Sequence, residues 1–374
     1  MLSIQKMKVL HLGKLCPPNE GGIELFTFDL LENLNKKGVK ADLLCFGEDT
    51  KIDMYKGFRY FSCKIILKLN SAPLSYDYFR VFRSIEKNYD IIHIHTPNPL
   101  AEFLGLISQK PIIVHWHSDI VRQKISYKFY KPFQQKLLKK SQKIIATSPQ
   151  YLETSLQLQN HKEKAVVIPL GLNPSRLEDK VSDEKFEKIR SEIQDKKIVL
   201  SVGRLVEYKG FSYLIEAAKF LGDDVLVLII GGGPLYNSLK NKIEELGLER
   251  KVFLLGRVEN ISPFLKICDL FCLPSIERNE AFGLSLVEAM YFGKPLITTD
   301  VKGSGMSYVN RHNETGLVVP PKNPEALAEA INKILYDKDL YNRFSENAKS
   351  RFKEFDINSI ADKIINLYQE VLKC

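Results

Sequence analysis

Two glutamates eight residues apart, Glu280 and Glu288, carry the clearest chemical signal in this sequence. They stand on either side of Gly283, directly after the apolar run Leu270-Phe-Cys-Leu-Pro. An apolar run followed by a turn and a helix start is typical of the carboxyl end of a strand in a doubly wound α/β domain. The spacing predicts that Glu280 opens the helix and that Glu288 lies two turns later on the same side. Because a carboxylate accepts two hydroxyl donors at once, the pair predicts a site for a hydroxyl-rich ligand.

Two cations five positions apart, Arg204 and Lys209, form a second candidate group. They lie on a loop bounded by Gly203 and Gly210, after the apolar run that begins at Ile198. Two fixed positive charges at a strand end can hold a diphosphate and stabilise the charge that develops when it leaves, without a metal ion. Taken alone, two basic residues on a loop are usually ordinary surface residues, but the downstream glutamate motif favours the functional interpretation. The nearby Gly231-Gly-Gly-Pro234 lacks the GxGxxG spacing of a dinucleotide site and is interpreted as a turn.

The first half of the chain contributes glycines and histidines at strand ends. Gly21 and Gly22 join the first strand to a helix whose N-terminus can meet an anion. His115 and His117 follow a later apolar run, where an imidazole could bond a ligand hydroxyl, and the residues leave open which of the two does so. The remaining pair, His93 and His95, alternates on one predicted strand, where packing in the core is the expected role.

These motifs resemble those of retaining GT-B glycosyltransferases, family 4 in particular, over nearly the whole chain. The resemblance implies that Arg204 and Lys209, in G-R-x(4)-K-G, contact the pyrophosphate of a sugar nucleotide. It also implies that Glu280 meets the sugar hydroxyls and Glu288 the ribose hydroxyls, as in the E-x(7)-E motif. His117 resembles the active-site histidine of that family. The catalytic prediction is therefore His117, Arg204, Lys209 and Glu280, and the predicted donor-binding residues are Gly21, Gly22, Arg204, Lys209, Glu280, Phe282, Gly283, Leu284 and Glu288.

The elements that must position these residues form two series of alternating strands and helices, one in each half of the chain. Short apolar runs bounded by turns alternate with helical periodicity in both halves, which suits parallel sheets covered on both faces. We therefore predict an α/β protein with two Rossmann-like domains facing across a cleft, the GT-B fold. The predicted domains are residues 1–175 for the acceptor and 176–356 for the nucleotide sugar. The resemblance implies that the C-terminal helix, 357–374, packs back on the first domain.

Composition favours a folded protein that is located in the cytoplasm, where it could also lie on the inner face of the plasma membrane. The 374 residues are 44% hydrophobic and 26% charged, and no apolar run is long enough to span a membrane. The start of the sequence lacks the pattern of a secretory signal. Six scattered cysteines are expected to be reduced thiols, and we predict neither a metal nor a cofactor because no four ligands stand at metal spacing.

The net charge of +9 is concentrated in the first half of the chain. Residues 1–175 hold 25 Lys/Arg against 15 Asp/Glu, whereas residues 176–374 hold 29 against 30. Within residues 121–143 there are eight basic and no acidic residues, interleaved with aromatic and aliphatic ones. Such a basic amphipathic helix can lie on an anionic membrane, although it can equally be a solvated helix packed on its own core. Without a nucleic-acid-binding motif, we expect no nucleic-acid partner.

The resemblance, which is strongest to mannosyl- and rhamnosyltransferase-like members, implies a retaining glycosyltransferase that moves a hexose, with a mannose-like sugar as the first choice. The donor would be a nucleotide diphosphate sugar and the acceptor a lipid-linked or membrane-proximal saccharide, in bacterial surface polysaccharide synthesis such as that of lipopolysaccharide. A sugar-nucleotide epimerase of the same fold and a non-catalytic nucleotide-binding scaffold at the membrane are the alternatives. The nucleotide, the sugar, the acceptor, the linkage and the oligomeric state do not follow from the sequence.

Overall fold

Two sheets of mainly parallel strands organise the chain in the computed structural model. It describes residues 7–18, 21–69, 72–120, 124–178 and 184–373. The first unit comprises residues 1–172 together with 356–374, and the second comprises residues 173–355. The sequence-based boundaries lay at 175/176 and 356/357.

The first unit is built on an eight-stranded sheet in the order β10-β9-β8-β7-β1-β2-β4-β3, in which only the edge strand β3 runs antiparallel to its neighbour. Strands β5 and β6 form a separate hairpin. The strands are β1 Lys8–Leu15, β2 Lys40–Gly47, β3 Lys51–Tyr55, β4 Phe58–Lys64, β5 Leu67–Leu69, β6 Ala72–Leu74, β7 Ile91–Thr96, β8 Ile112–Trp116, β9 Lys143–Ala146 and β10 Ala165–Val167. Strands β7 and β8 are buried along their whole length and β1 is buried from Val9 to Gly13, as expected for a parallel sheet covered on both faces.

The described part of the first unit contains six α-helices: α1 Gly22–Lys36, α2 Tyr76–Ile85, α3 Pro99–Ile107, α4 Lys124–Lys140, α5 Pro149–Thr154 and, from the end of the chain, α14 Ile357–Val371. Helix α14 buries apolar residues at helical spacing, among them Ile357, Ile360 and Ile364. Ile357 and Ile360 pack against Gly171, where a side chain would collide with them. The helix thereby contributes to the core of the first unit.

The second unit has a six-stranded parallel sheet in the order β13-β12-β11-β14-β15-β16. Its strands are β11 Lys197–Val202, β12 Val225–Ile230, β13 Val252–Gly256, β14 Leu270–Leu273, β15 Leu296–Thr299 and β16 Gly316–Val319. Counted from β11, this order is 3-2-1-4-5-6, the arrangement of a Rossmann fold. The short apolar runs of the sequence predicted the first five strands but not β16.

Within its described residues the second unit has eight α-helices: α6 Glu184–Ile189, α7 Phe211–Ala217, α8 Tyr236–Glu245, α9 Ser262–Ile267, α10 Leu284–Tyr291, α11 Met306–Val309, α12 Pro324–Tyr336 and α13 Lys338–Phe352. Buried aliphatic residues from α7, α8 and α12 join those of β11 and β12 in one core. This core holds the carboxyl ends of β11 and β14 in fixed positions.

The expectation that all six cysteines are reduced is wrong for one pair. Cys16 and Cys45 form a disulfide with a Cα–Cα distance of 5.1 Å. They meet because β1 and β2 are neighbours, and the amide of Cys16 donates to the Phe46 carbonyl at 3.0 Å. The thiols of Cys63, Cys268 and Cys272 are free and buried, and Cys374 lies outside the described residues.

No helix within the described part of the chain combines the length and apolar character needed to cross a bilayer.

Candidate active site

The loops after β11 and β14 meet where the strand order of the second sheet reverses. These two strands are neighbours, yet the chain leaves them toward opposite sides of the sheet, which opens a crevice at their carboxyl ends. The amide of Ile276 donates to the Tyr208 carbonyl at 2.8 Å, which joins the two loops directly. The structure therefore brings the predicted cation loop and the predicted glutamate motif to one place.

Lys209 and Glu280 are paired across this crevice. The Lys209 ammonium donates to the Glu280 carboxylate, and the two side chains are only 11% and 10% exposed. Burial alone would lower the pKa of Lys209, because it disfavours the charged ammonium. The neighbouring Glu280 carboxylate, together with Tyr208 and Glu288, has the opposite and larger effect, so the pKa of Lys209 is raised. The lysine therefore stays protonated at neutral pH. The pair places a fixed positive charge and a hydroxyl-accepting carboxylate side by side.

Arg204 differs from Lys209 in being exposed. Among the described residues, its guanidinium has no ion pair or side-chain hydrogen bond. The backbone carbonyl of Arg204 accepts from the Val206 amide at 2.8 Å, which tightens the loop below the side chain. An exposed guanidinium and a mostly buried ammonium on the same loop are two groups that a diphosphate could engage.

The prediction that Glu280 opens a helix is wrong. Helix α10 begins at Leu284, and Glu280 lies four residues earlier in the preceding loop. Gly283 sets the start of the helix because its φ of +87° is a left-handed conformation that favours glycine. Phe282 is buried and contacts the Phe355 ring edge-on at 5.9 Å, which fixes the loop between the two glutamates.

Glu288 lies in α10, 8% exposed, with its carboxylate 3.6 Å from the Arg176 guanidinium. Sequence analysis did not identify Arg176, because it stands in a polar connecting segment that carries no motif. Part of that segment, residues 179–183, lies outside the described residues. The arginine holds a carboxylate that is otherwise almost fully buried.

A shell of small polar residues around Glu280 was also missed by sequence analysis. Ser304 donates its hydroxyl to the Glu280 carbonyl, and Ser275 lies 3.4 Å from the carboxylate. Thr299, at the end of β15, donates to the Ser275 carbonyl. Isolated serines and threonines give no sequence signal, because their role depends on which loops meet in space.

Gly210 is where the two loops approach most closely. Its φ is +69°, and a Cβ there would collide with the Pro274 carbonyl oxygen, a backbone atom that cannot rotate away. We expect Gly210→Ala to destabilise the second unit by roughly 1 to 3 kcal/mol, measured as the free energy of unfolding in urea. The control is Gly247→Ala, where φ is +65° but no atom lies within 4 Å. Equal losses in the two variants would mean that the contact with Pro274 contributes nothing.

On the first unit, Gly21 and Gly22 stand at the start of α1, as the motif predicted. Gly21 is the residue before the helix, and its carbonyl accepts from the Leu25 amide at 2.8 Å. The Glu24 carboxylate lies against Gly21, and burial raises the pKa of Glu24. Asn19 and Glu20 of the same loop lie outside the described residues.

His117 follows β8, and its ring stacks on that of His115 at 4.3 Å between centroids. Both are buried, so the structure does not distinguish which one meets a ligand. His93, His95 and His11 lie beside them on β7 and β1. Burial, together with the neighbouring imidazoles, lowers the pKa of His117 and His115, so both rings are neutral at neutral pH.

The histidines also form two compact groups of possible metal ligands in the described part of the chain. In each group the nitrogens lie within 4.8 Å of one another, and the groups are His11, His93 and His95, and His95, His115 and His117. The sequence did not predict this grouping, because three different strands contribute to it.

Comparison with known proteins gives the class of this molecule. The family model for glycosyl transferases group 1 matches residues 182–351, and that for glycosyltransferase family 4 matches residues 20–176. O-antigen chain mannosyltransferase C of Escherichia coli is 33% identical over 376 residues, covering 98% of this chain and 99% of the relative. D-rhamnosyltransferase WbpZ of Pseudomonas aeruginosa is 34% identical over 93% of this chain and 92% of its own.

A solved structure, Anabaena Alr3699/HepE in complex with UDP, matches with a TM-score of 0.79 at 22% identity, covering 97% of this chain and all of that one. The predicted GT-B fold is confirmed, and the protein is a glycosyltransferase. The chain belongs to glycosyltransferase family 4.

Proposed function

We propose that this glycosyltransferase moves a hexose from a nucleotide diphosphate sugar to a saccharide, with retention of configuration. The observation that carries the proposal is the Lys209–Glu280 pair beside the exposed Arg204, at the point where the strand order reverses. The two cations would bind the diphosphate, Glu280 would accept from sugar hydroxyls and Glu288 from the ribose. Phe282, Gly283 and Leu284 would shape the loop and helix start beneath the donor. Gly21, Gly22 and His117 would serve the same reaction from the first unit.

The chemistry would be positioning and electrostatics, without a covalent intermediate. Glu280 is already engaged by the Lys209 ammonium, so its carboxylate suits hydroxyl binding better than nucleophilic attack. The diphosphate would leave toward Arg204 and Lys209 while the acceptor hydroxyl attacks on the same face of the sugar. This route accounts for retention with the side chains that the site supplies.

A mannose-like sugar and a surface polysaccharide product are the first choices. Two relatives at 33% and 34% identity are named as an O-antigen mannosyltransferase and a D-rhamnosyltransferase. The first of these names supports a role in bacterial O-antigen synthesis. The acceptor that we propose is a lipid-linked or membrane-proximal saccharide. Solved neighbours in complex with UDP and UDP-glucose support a nucleotide sugar as the donor.

A thermal-shift panel tests the donor. UDP-, GDP-, dTDP- and ADP-sugars are compared with the free diphosphates, because a ligand that binds only the folded state raises its melting temperature. We expect a shift with one nucleotide only, and product mass then separates glycosyl transfer from epimerisation. If no nucleotide raises the melting temperature, the proposal that a nucleotide sugar binds at this site is wrong.

We also propose that the outer face of α4 binds an anionic membrane. We define this face as Lys128, Phe129, Lys131, Phe133, Lys136 and Lys139, all exposed. Phe129 and Phe133 are 78% and 52% exposed, which water disfavours and a lipid interface accepts. The opposite side is buried through Leu137 and Leu138, so the helix is anchored in its unit. Residues 121–123 of the predicted basic stretch lie outside the described residues.

Lys140 does not belong to this outer face. Its ammonium donates to the carbonyls of Gly105, Leu106 and Ser108, at the end of α3. A membrane test should therefore leave Lys140 unchanged, because its replacement would disturb the contact between the two helices.

Neutralising the outer face should weaken vesicle binding. For Lys131→Gln, Lys136→Gln and Lys139→Gln combined, we expect partitioning onto phosphatidylglycerol vesicles to fall on the order of 10²-fold, since each lysine contributes about 1 kcal/mol. Cosedimentation measures it. The control combines Lys302→Gln, Lys338→Gln and Lys353→Gln, three exposed lysines of the second unit. If both triple variants bind alike, α4 is an ordinary surface helix.

A further inference from the structure

Five of the seven histidines lie buried together on neighbouring strands of the first unit. His11 of β1 is in register with His93 of β7, and His95 of β7 with His115 of β8. Because side chains alternate along a strand, His93 and His95 point to the same face, and so do His115 and His117. Tyr368 of α14 lies on that face and is fully buried.

These side chains form one continuous line of hydrogen bonds, which we call the histidine wire. In the first arm, His117 Nε2 lies 2.9 Å from His95 Nδ1, and His95 Nε2 lies 3.0 Å from His11 Nδ1. The Tyr368 hydroxyl joins the two arms, at 3.1 Å from His11 Nε2 and 2.6 Å from His93 Nδ1. In the second arm, His93 Nε2 lies 3.2 Å from His115 Nδ1. Its two ends, His117 Nδ1 and His115 Nε2, are buried and have no hydrogen-bond partner among the residues that the structure describes.

Counting protons along the wire leaves only two fully bonded arrangements. A neutral imidazole carries one N–H and one lone pair, and each imidazole–imidazole bond joins an Nδ1 to an Nε2. If Tyr368 donates to His93, every histidine in the wire must carry its proton on Nε2. If Tyr368 donates to His11, every one must carry it on Nδ1. Any mixture places two N–H groups or two lone pairs face to face, or makes the Tyr368 oxygen accept from both histidines so that its buried O–H has no acceptor in the wire, and each of these is costly.

We propose that the histidine wire is a single two-state tautomeric switch, so that His117 changes tautomer only together with Tyr368 and the other four histidines. In the Nε2–H state, His117 presents a lone pair at its open Nδ1 and His115 presents an N–H at its open Nε2. In the Nδ1–H state these roles are exchanged. Thr27 is the one side branch: its hydroxyl donates to the Ile23 carbonyl and lies 3.4 Å from His95 Nδ1, so it can accept from His95 only in the Nδ1–H state.

The switch would determine what His117 can recognise. A ligand hydroxyl that donates to His117 Nδ1 selects the Nε2–H state, and a ligand oxygen that accepts from it selects the Nδ1–H state. This consequence rests on the proposed role of His117 beside the substrate, whereas the coupling itself does not. Tyr368 is then a positioning residue, which acts on substrate through the tautomer of His117.

Side-chain NMR of the protein labelled with [¹⁵N]histidine tests the coupling without any substrate. Each ring is assigned from single His→Gln variants, and the tautomer fraction of each is read at pH 7.5. His312 is an internal reference, because its Nδ1 accepts from the Val318 amide at 3.0 Å and its proton must be on Nε2. We expect one common tautomer fraction for the five histidines of the wire. Unequal fractions, or a stoichiometric metal ion found by elemental analysis of the purified protein, would overturn the proposal.

Tyr368→Phe removes the central link and should separate the two arms. His117, His95 and His11 would then share one tautomer fraction, and His93 and His115 another. The control is Tyr336→Phe, which removes a hydroxyl bonded to Asp224 in the second unit and should change none of the five. Five fractions that stay equal in Tyr368→Phe would contradict coupling through the tyrosine. If Tyr368→Phe does not fold, the tautomer fractions of the wild-type protein still test the coupling. If no nucleotide shifts the melting temperature, the proposed function fails, but the test of the coupling is unaffected because it uses no substrate.

Discussion

Replacing Lys209 with alanine is expected to lower kcat by about 10²- to 10³-fold while the Kd for the donor changes much less. The ammonium is held beside the Glu280 carboxylate and its pKa is raised, so it is a fixed positive charge before any ligand binds. A charge placed where the diphosphate leaves acts more strongly on the transition state than on the bound donor. Steady-state kinetics together with donor titration separate the two effects.

A second variant distinguishes a loss of catalysis from a loss of folding. Removing one partner of a mostly buried ion pair can be strongly destabilising, because the remaining carboxylate loses its compensation. Lys209→Gln keeps a hydrogen-bond donor for Glu280 but removes the charge, so its kcat should still be low in a folded protein. The matched control is Lys242→Ala, which breaks the pair of Lys242 with Glu216 elsewhere in the same unit. Small and equal losses of kcat and donor affinity would refute the assigned role of Lys209.

Replacing Glu288 with alanine should weaken donor binding by about 10- to 10²-fold, since hydrogen bonds to charged groups contribute roughly 1.5 to 3 kcal/mol. Glu288 lies in α10, and its proposed ribose contact is the same in the ground and transition states. KM should therefore rise more than kcat falls. Isothermal titration with the donor identified by the thermal-shift panel measures the loss directly.

The contact between Glu288 and Arg176 requires its own control. If the glutamate served only to hold that arginine, Arg176→Ala would reproduce the whole loss of affinity. We expect instead that Glu288→Gln keeps part of the affinity, because an amide oxygen still accepts one hydroxyl. Glu314→Ala removes a glutamate from an exposed pair with Arg311 and should leave donor binding unchanged.

The glutamate motif shows how far the sequence predicted the site. The apolar run at Leu270 and the following turn predicted a strand end, and β14 ends at Leu273 with Glu280 in the loop beyond it. The error was to begin the helix at Glu280, whereas it begins after Gly283. A periodicity argument cannot place a helix start to within a few residues, because local backbone conformation, here a positive φ, decides it.

The disulfide and strand β16 show a second limit of sequence-based prediction, because both depend on neighbouring strands. Cys16 and Cys45 are 29 residues apart and carry no spacing signal, so only the pairing of β1 with β2 brings them together. Strand β16 pairs with β15 along all four of its residues, Gly316 to Val319. Its stability comes from that neighbour and not from its own propensity.

By itself, the sequence determined the class of this protein. Motif spacing and strand-helix alternation are local properties, and they were sufficient to predict two Rossmann-like domains and the loops that carry the cations and carboxylates. The same motifs carried the resemblance that implied the GT-B fold and the glycosyltransferase family. Tertiary structure alone decided which side chains touch. It pairs Lys209 with Glu280 and Arg176 with Glu288, and it places Tyr368 between His93 and His11. Tyr368 and His93 are 275 residues apart, and a hydrogen bond over such a separation follows from strand order and helix packing, which no local pattern encodes.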